Sequence, residues 1–83
     1  MEHTRSDYNR IQDPSGKIPM DEPVFLLRGQ DVSAPGAVDK WAELNLLRGG
    51  NPELSRLAFD QADKMREWQK SKAKKLADRP TGI

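Results

Sequence analysis

The four residues Gly49-Gly50-Asn51-Pro52 constrain this chain most, because they end one helix and begin another. Paired glycines stop a helix, and Asn51 can cap the next one, with Pro52 at its first position. Glu53 then lies near the positive end of the second helix dipole. A connection this short lets two helices fold back on each other. The sequence therefore predicts an antiparallel helical hairpin in its second half.

Apolar side chains recur at helical spacing on both sides of this turn. The first predicted helix is capped by Ser33 or Ala34, has Pro35 in its first turn, and runs to about Arg48. The second runs from about residue 52 to about 75. At about 100° per residue, each helix collects its apolar side chains on one arc. The arcs are Ala37, Val38, Trp41, Ala42 and Leu44, and then Leu54, Leu57, Ala58, Ala62, Met65, Trp68 and Leu76.

Prolines and glycines punctuate the first half of the chain, which predicts extended structure there. Asp13-Pro14-Ser15-Gly16 has the residue preferences of a type I turn. The run Val24-Phe25-Leu26-Leu27 is short and continuously apolar, which suits a strand covered on both faces. One strand cannot satisfy its own backbone groups. We therefore expect it to pair with residues 8–12 or with a strand of another chain.

Size limits what this fold can bury. The chain has 83 residues, 35% of them hydrophobic, and no cysteine, so one thin core must hold it without a disulfide. We expect a single small α+β domain, with an extended arm and strand in 1–32, the hairpin in 33–76 and a flexible tail in 77–83. Association with further copies is a common remedy for a small core, so a homo-oligomer is expected.

Several function classes lack the residues that they need. A zinc site lacks ligands, because the chain has one histidine and no cysteine. No spacing of carboxylates resembles a calcium-binding loop. Gly49-Gly50 follows a helix, whereas a phosphate loop follows a strand. His3 lies in a terminal segment without the rigid positioning of a catalytic triad. We expect no enzyme, metal or cofactor.

The lengths of the apolar runs bear on where the protein is located in the cell. None approaches the roughly 18 residues of a membrane span, and the first ten residues contain no apolar core of a signal peptide. A cytoplasmic protein without a membrane partner is expected.

The segment DEPVFLLRGQD, residues 21–31, carries the candidate ligand site. Arg28 and Gln30 follow the apolar run, and a helix begins a few residues later. A guanidinium beside the free N–H groups of a helix start can hold a phosphate or carboxylate. The alternative is that Arg28 pairs with a nearby acid and that Gln30 and Asp31 shape the turn. The candidate ligand-binding residues are Arg28, Gln30, Asp31, Arg10 and Arg66, and Arg5 and other bases of the second helix are further candidates.

Large apolar side chains give the candidate interface, which comprises Val24, Phe25, Phe59, Trp41 and Trp68. Phe59 lies far from the centre of the second apolar arc, so either the N-terminal segment or another subunit covers it. Three amides, Asn45, Gln61 and Gln69, fall inside the arcs. Because buried amides are hydrogen-bonded, they predict an interhelical amide network, a fading helix end or a polar pocket between the helices.

Residues 64–79 are basic, with seven lysines and arginines against two acids. These bases surround the helix without forming one stripe, and cations near a helix C-terminus are favoured by the dipole. A solvated helix end is the simpler interpretation. Nucleic-acid binding is a lesser alternative, and the net charge of +1 gives no further support for it.

The stretch from Tyr8 to about Trp68 resembles a family of small uncharacterised proteins encoded by bacteriophages and prophages. The resemblance rests on DPSGKIPMDEPVFLLRGQD, a Trp-Ala pair in the first helix and Met-Arg-Glu-Trp-Gln in the second. It implies a phage accessory protein in a bacterial cytoplasm and transfers no catalytic residue.

These observations lead to three hypotheses, all of them binding functions. The first is a non-enzymatic phage protein that sequesters an anionic small molecule, such as a cyclic nucleotide signal of host defence, as an anti-defence sponge. The second is an inhibitor that binds a host protein through the apolar strand and Phe59. The third is a nucleic-acid-binding accessory protein that uses the basic C-terminal helix. The first two rest on analogy with other very small phage proteins, which often act stoichiometrically by sequestering a signalling nucleotide or occluding a host protein.

Overall fold

The computed structural model describes residues 1–72, which divide into two compact units. The first unit covers Met1–Leu26, and the second begins at Leu27. In chain order the elements are strand β1 (Glu2–His3), a 3-10 helix (Ser6–Tyr8), strand β2 (Pro23–Val24), helix α1 (Ala34–Leu47) and helix α2 (Pro52–Ser71). This content confirms the α+β class.

Helix α1 begins and ends as predicted, but neither expected residue caps it with a side chain. Ser33 makes no side-chain cap hydrogen bond, and Pro35 occupies the first turn. Instead, the Asp31 side chain accepts a hydrogen bond from the Ser33 N–H at 2.8 Å. Gly49 follows the helix with φ of 74°, a left-handed conformation that glycine adopts without strain.

Helix α2 starts with the predicted cap. The Asn51 side chain accepts a hydrogen bond from the Glu53 N–H at 2.9 Å, and Pro52 occupies the first turn. The helix is described as far as Ser71. Its predicted continuation to about residue 75 and the predicted tail at 77–83 lie outside the described residues.

Small side chains form the contact between the two helices. Ala42, Ser55 and Ala62 are all but inaccessible to solvent. The Ser55 hydroxyl donates to the Ala42 carbonyl at 2.9 Å and accepts from the Asn45 amide at 2.8 Å. Late α1 thus contacts early α2.

Large members of the predicted arcs remain about half exposed. Trp41 and Leu54 are each 50% exposed, Leu57 is 49% exposed and Trp68 is 43% exposed. Of the predicted arcs, Ala42 and Ala62 are fully buried, whereas Val38, Leu44, Ala58 and Met65 are only partly buried. A serine and two alanines allow the close approach that brings the Ser55 hydroxyl within reach of a backbone carbonyl in α1.

The strand prediction was wrong in length, burial and partner. Strand β2 holds only Pro23–Val24, and it pairs in parallel with β1, Glu2 opposite Pro23 and His3 opposite Val24. Phe25 is 69% exposed, so the apolar run is not covered on both faces. Tyr8, expected on the partner strand, ends the 3-10 helix. Glu2 and His3 show no apolar pattern that could have marked them as a strand.

The predicted chain reversal at Asp13 is confirmed. The Gly16 N–H donates to the Asp13 carbonyl at 3.1 Å, and Gly16 has φ of 69°. The Asp13 carboxylate also accepts from the N–H groups of Ser15, Lys17 and Ile18. One side chain therefore organises the loop that follows it.

Candidate functional site

A groove of about 370 Å³ lies in the second unit, between the segment before α1 and one side of α2. Its lining comprises Leu27, Arg28, Gly29, Gln30, Gln61, Lys64, Met65 and Trp68. The four α2 residues are spaced by three, one and three positions, which places them on one stripe of the helix. The groove is therefore built from two short stretches of sequence.

Gln69 holds the two walls of this groove together. Its side-chain amide donates to the carbonyls of Gly29 and Asp31, each at 2.9 Å. These carbonyls flank Gln30, so the amide fixes the backbone on both sides of that residue. Of the three amides, Asn45 makes the expected interhelical hydrogen bond, to the Ser55 hydroxyl. Gln69 instead bonds to the segment before α1, and Gln61 is exposed and lines the groove.

Two cations and no acid line the groove. Arg28 and Lys64 stand on opposite walls, and neither forms an ion pair with another residue in the part of the chain that the structure describes. The expected alternative, in which Arg28 pairs with a neighbouring acid, is therefore not what residues 1–72 show. Trp68, Leu27 and Met65 add an apolar surface beside these charges. This combination suits a ligand that is both anionic and partly flat and apolar.

The structure gives Asp31 a local task. Asp31 is 9% exposed, its carboxylate accepts from the Ser33 N–H, and its carbonyl accepts from the Ala34 N–H at 3.0 Å. These bonds shape the turn into α1, which is the role that the alternative to ligand binding predicted for Asp31. Asp31 does not line the groove.

Arg66 and Arg10 are not brought to the groove lining. Arg66 hydrogen-bonds the carboxylates of Asp39 in α1 and Asp63 in α2. The hydrogen bond with Asp39 raises the pKa of Arg66 above its usual value. Arg66 thus joins the two helices, while Arg10 lies exposed in the first unit.

The candidate interface residues differ widely in exposure. Phe25 is the most exposed of them, Trp41 and Trp68 are about half exposed, and Val24 and Phe59 are half-buried. The chain itself therefore covers part of Phe59, which was expected to lie outside the helix contact.

Lys64 was expected only as one of the second helix's bases and was not singled out for this site, and Trp68 was assigned to an interface. The spacing of Gln61, Lys64 and Trp68 along one stripe was the available signal. It did not show which segment would lie against that stripe. The contact between residues 27–30 and α2 includes the two hydrogen bonds from Gln69, and no periodic pattern in the sequence predicts them.

The basic stretch at residues 64–79 does not act as one surface in the part that the structure describes. Lys70 lies 3.1 Å from the carboxylate of Glu67, one turn earlier. The predicted basic residues Lys74, Lys75 and Arg79 lie outside the described residues.

Within residues 1–72, no group of three His, Cys, Asp or Glu side chains could hold a metal ion. His3 belongs to β1, and its Nε2 lies 2.6 Å from the Ile11 carbonyl oxygen. Neither described helix has the length and apolar character to cross a membrane.

No family model, curated protein or solved structure matches this chain. The groove must therefore be interpreted from its own residues.

Proposed function

We propose that this protein binds an anionic small molecule in the groove between residues 27–30 and α2, and that the ligand is a nucleotide. The observation that carries this proposal is the lining itself: Arg28 and Lys64 without an acid, beside the indole of Trp68. A guanidinium offers a phosphate two parallel hydrogen bonds, and an ammonium adds a compact positive charge.

The rest of the lining suits the uncharged part of a nucleotide. An indole ring provides a face on which a nucleobase stacks, which contributes about 1–3 kcal/mol per base. The exposed amide of Gln61 both donates and accepts hydrogen bonds, as the edge of a base requires. A volume of about 370 Å³ falls within the usual range of small-molecule sites.

The proposed role is sequestration rather than turnover. The groove supplies groups that bind and orient an anion, and the resemblance to phage proteins suggests a bacterial cytoplasm as the setting. A cyclic nucleotide of host defence has the required phosphate and base. The protein then acts stoichiometrically, as an anti-defence sponge.

Titration calorimetry with a panel of mononucleotides and cyclic nucleotides tests the proposal. We expect Arg28→Ala to weaken binding about tenfold or more, since hydrogen bonds to charged groups contribute about 1.5–3 kcal/mol. Lys64→Ala should weaken it less. Arg48→Ala is the matched control, because Arg48 is also exposed but lies outside the groove. Absence of heat with every nucleotide, or equal affinities for Arg28→Ala and the parent chain, would reject the proposal.

A second candidate function is inhibition of a host protein through the apolar segment, and the exposure of Phe25 favours it. A side chain this large and 69% exposed suits a contact with another protein. This alternative expects Phe25→Ala to abolish capture of a host protein while Arg28→Ala retains it. Nucleotide binding that is lost in Arg28→Ala and retained in Phe25→Ala favours the nucleotide instead.

We also propose that the helices form an antiparallel hairpin and that the protein works as a homo-oligomer. The contact of Asn45 with Ser55, together with that of Asp39 with Arg66, supports the antiparallel arrangement, because the order of contacts along α2 reverses that along α1. The exposure of large apolar side chains on the same helices supports association.

A further inference from the structure

The stripe of α2 that lines the groove continues for one more turn, to Lys72. Lys72 follows Trp68 by four residues, as Trp68 follows Lys64, so at about 100° per residue both lysines lie within about 40° of the indole around the helix. Each step of four residues advances about 6 Å along the helix axis. Lys72 is the C-cap of α2, and its N–H donates to the Trp68 carbonyl at 3.0 Å. One cation therefore lies a turn before the indole and another a turn after it.

Ion pairs distinguish these two lysines from the other bases nearby. Residues 64–72 contain four bases, and two of them, Arg66 and Lys70, pair with carboxylates of the chain. Lys64 and Lys72 form no ion pair in the part of the chain that the structure describes. Arg66 and Lys70 lie about 160° from Trp68 around the helix. Among the described bases of this stretch, the paired ones thus lie opposite the indole and the unpaired ones lie beside it.

No acid of this stretch lies on the same side of α2 as the indole. The acids of residues 61–72 are Asp63 and Glu67, and each lies about 100° or more from Trp68 around the helix. On the facing wall of the groove, Arg28 adds a third cation. Positive charge is therefore available on both sides of Trp68 along the helix, and no neighbouring carboxylate offsets it.

We propose that the ligand of this groove is a dinucleotide. Along the stripe, Gln61, Lys64, Trp68 and Lys72 present in turn an amide, a cation, an indole and a second cation. The Gln61 amide meets the edge of one base, and Trp68 stacks with the other. Arg28 and Lys64 hold the phosphodiester between the bases, while Lys72 holds a second phosphate. The inference rests on the proposed nucleotide function and specifies its ligand class, because a nucleotide with a single phosphate leaves Lys72 without a contact.

Two isomers of adenosine diphosphate test the position of the second phosphate by titration calorimetry. Adenosine 3′,5′-bisphosphate carries a phosphate on each side of the nucleoside, whereas adenosine 5′-diphosphate carries both on one side. We expect the parent chain to bind the 3′,5′ isomer about two- to fivefold more tightly, which is the effect of one exposed ion pair. Lys72→Gln should remove this preference. Lys70→Gln is the matched control and should retain it, because Lys70 is also exposed but lies off the stripe.

Dinucleotides extend the test to the other base. A linear diadenylate with a terminal phosphate and cyclic diadenylate each provide two bases and two phosphates. Both should bind more tightly than adenosine 3′,5′-bisphosphate, and Gln61→Ala should weaken both while leaving the affinity for the bisphosphate unchanged. The tighter of the two shows whether the ligand is a strand fragment or a cyclic molecule.

Three results would each overturn the dinucleotide: equal affinities of the parent chain for the two isomers, equal losses in Lys72→Gln and Lys70→Gln, or dinucleotides that bind no more tightly than the bisphosphate. The groove proposal fails separately, when adenosine 5′-monophosphate and every other nucleotide give no heat or when Arg28→Ala binds them as the parent chain does. Circular dichroism should show the same helix content in all variants, so that a lost preference reports the contact and not the fold.

Discussion

Individual polar side chains decide where this chain bends and where its helices meet. Ser55 and Asn45 tie the helices through one buried hydroxyl, while Gln69 ties the segment before α1 to α2. From sequence, an amide inside an apolar arc predicts only that a partner exists. Which carbonyl it meets depends on the approach of another segment, and this is why the partners of Gln69 were not predictable.

The Asp13 carboxylate should make the loop that follows it sensitive to pH. Hydrogen bonds from the Ser15 hydroxyl, then from the backbone of Lys17 and Ser15, lower the pKa of Asp13 below its usual value. A lowered folded pKa means that the carboxylate's contribution is present above the unfolded pKa, near 4, and is lost as pH falls through the folded value.

We therefore expect the 13–18 loop to loosen only in acid, below the ordinary aspartate range. A carboxyl NMR titration should place the Asp13 midpoint below that of an unstructured peptide with the same sequence. Asp13→Asn should loosen the loop at neutral pH and remove its dependence on acid. Equal midpoints in protein and peptide would contradict this account.

At the scale of elements, the helices were predictable and the strands were not. Pro35, Gly49 and the cap at Asn51 act through local backbone geometry, so their effects can be recognised in the sequence. The strand pair joins Glu2–His3 to Pro23–Val24 over about twenty intervening residues. A pairing two residues long has no periodicity to detect, and it joins segments that are far apart in the sequence.

Two glycines in and after α1 should respond oppositely to the same substitution. Gly36 is exposed within the helix, and a side chain there would meet nothing within 4 Å, so Gly36→Ala should stabilise the protein by about 0.5–1 kcal/mol. Gly49 also has open space but a φ of 74°, so Gly49→Ala should cost about 1 kcal/mol.

Urea unfolding followed by circular dichroism measures both changes in the free energy of unfolding. Gly49→Asn provides a control, because asparagine tolerates the left-handed conformation better than alanine does. It should lie between the parent chain and Gly49→Ala. Two alanine variants that shift in the same direction would show that backbone conformation does not govern these positions.

Over the whole molecule, burial is concentrated in one of the two units. No residue of Met1–Leu26 is buried, whereas the second unit buries Ala34, Ala42, Ser55 and Ala62. The chain length and the hydrophobic fraction predicted a thin core. It could not show that alanines would form that core, because the choice between small and large faces depends on how closely two helices approach.

The units should therefore differ in native-state stability. Backbone hydrogen bonds in the first unit, such as those donated by Ile11 and Glu22, lack buried surroundings and should open at low free energy. Amides in the middle of α2, beside Ala62, should open only when the helix pair separates. Hydrogen exchange followed by NMR should thus show loss of Ile11 and Glu22 protection well before that of Ala62. Equal protection at all three amides would show that the chain opens as one cooperative unit.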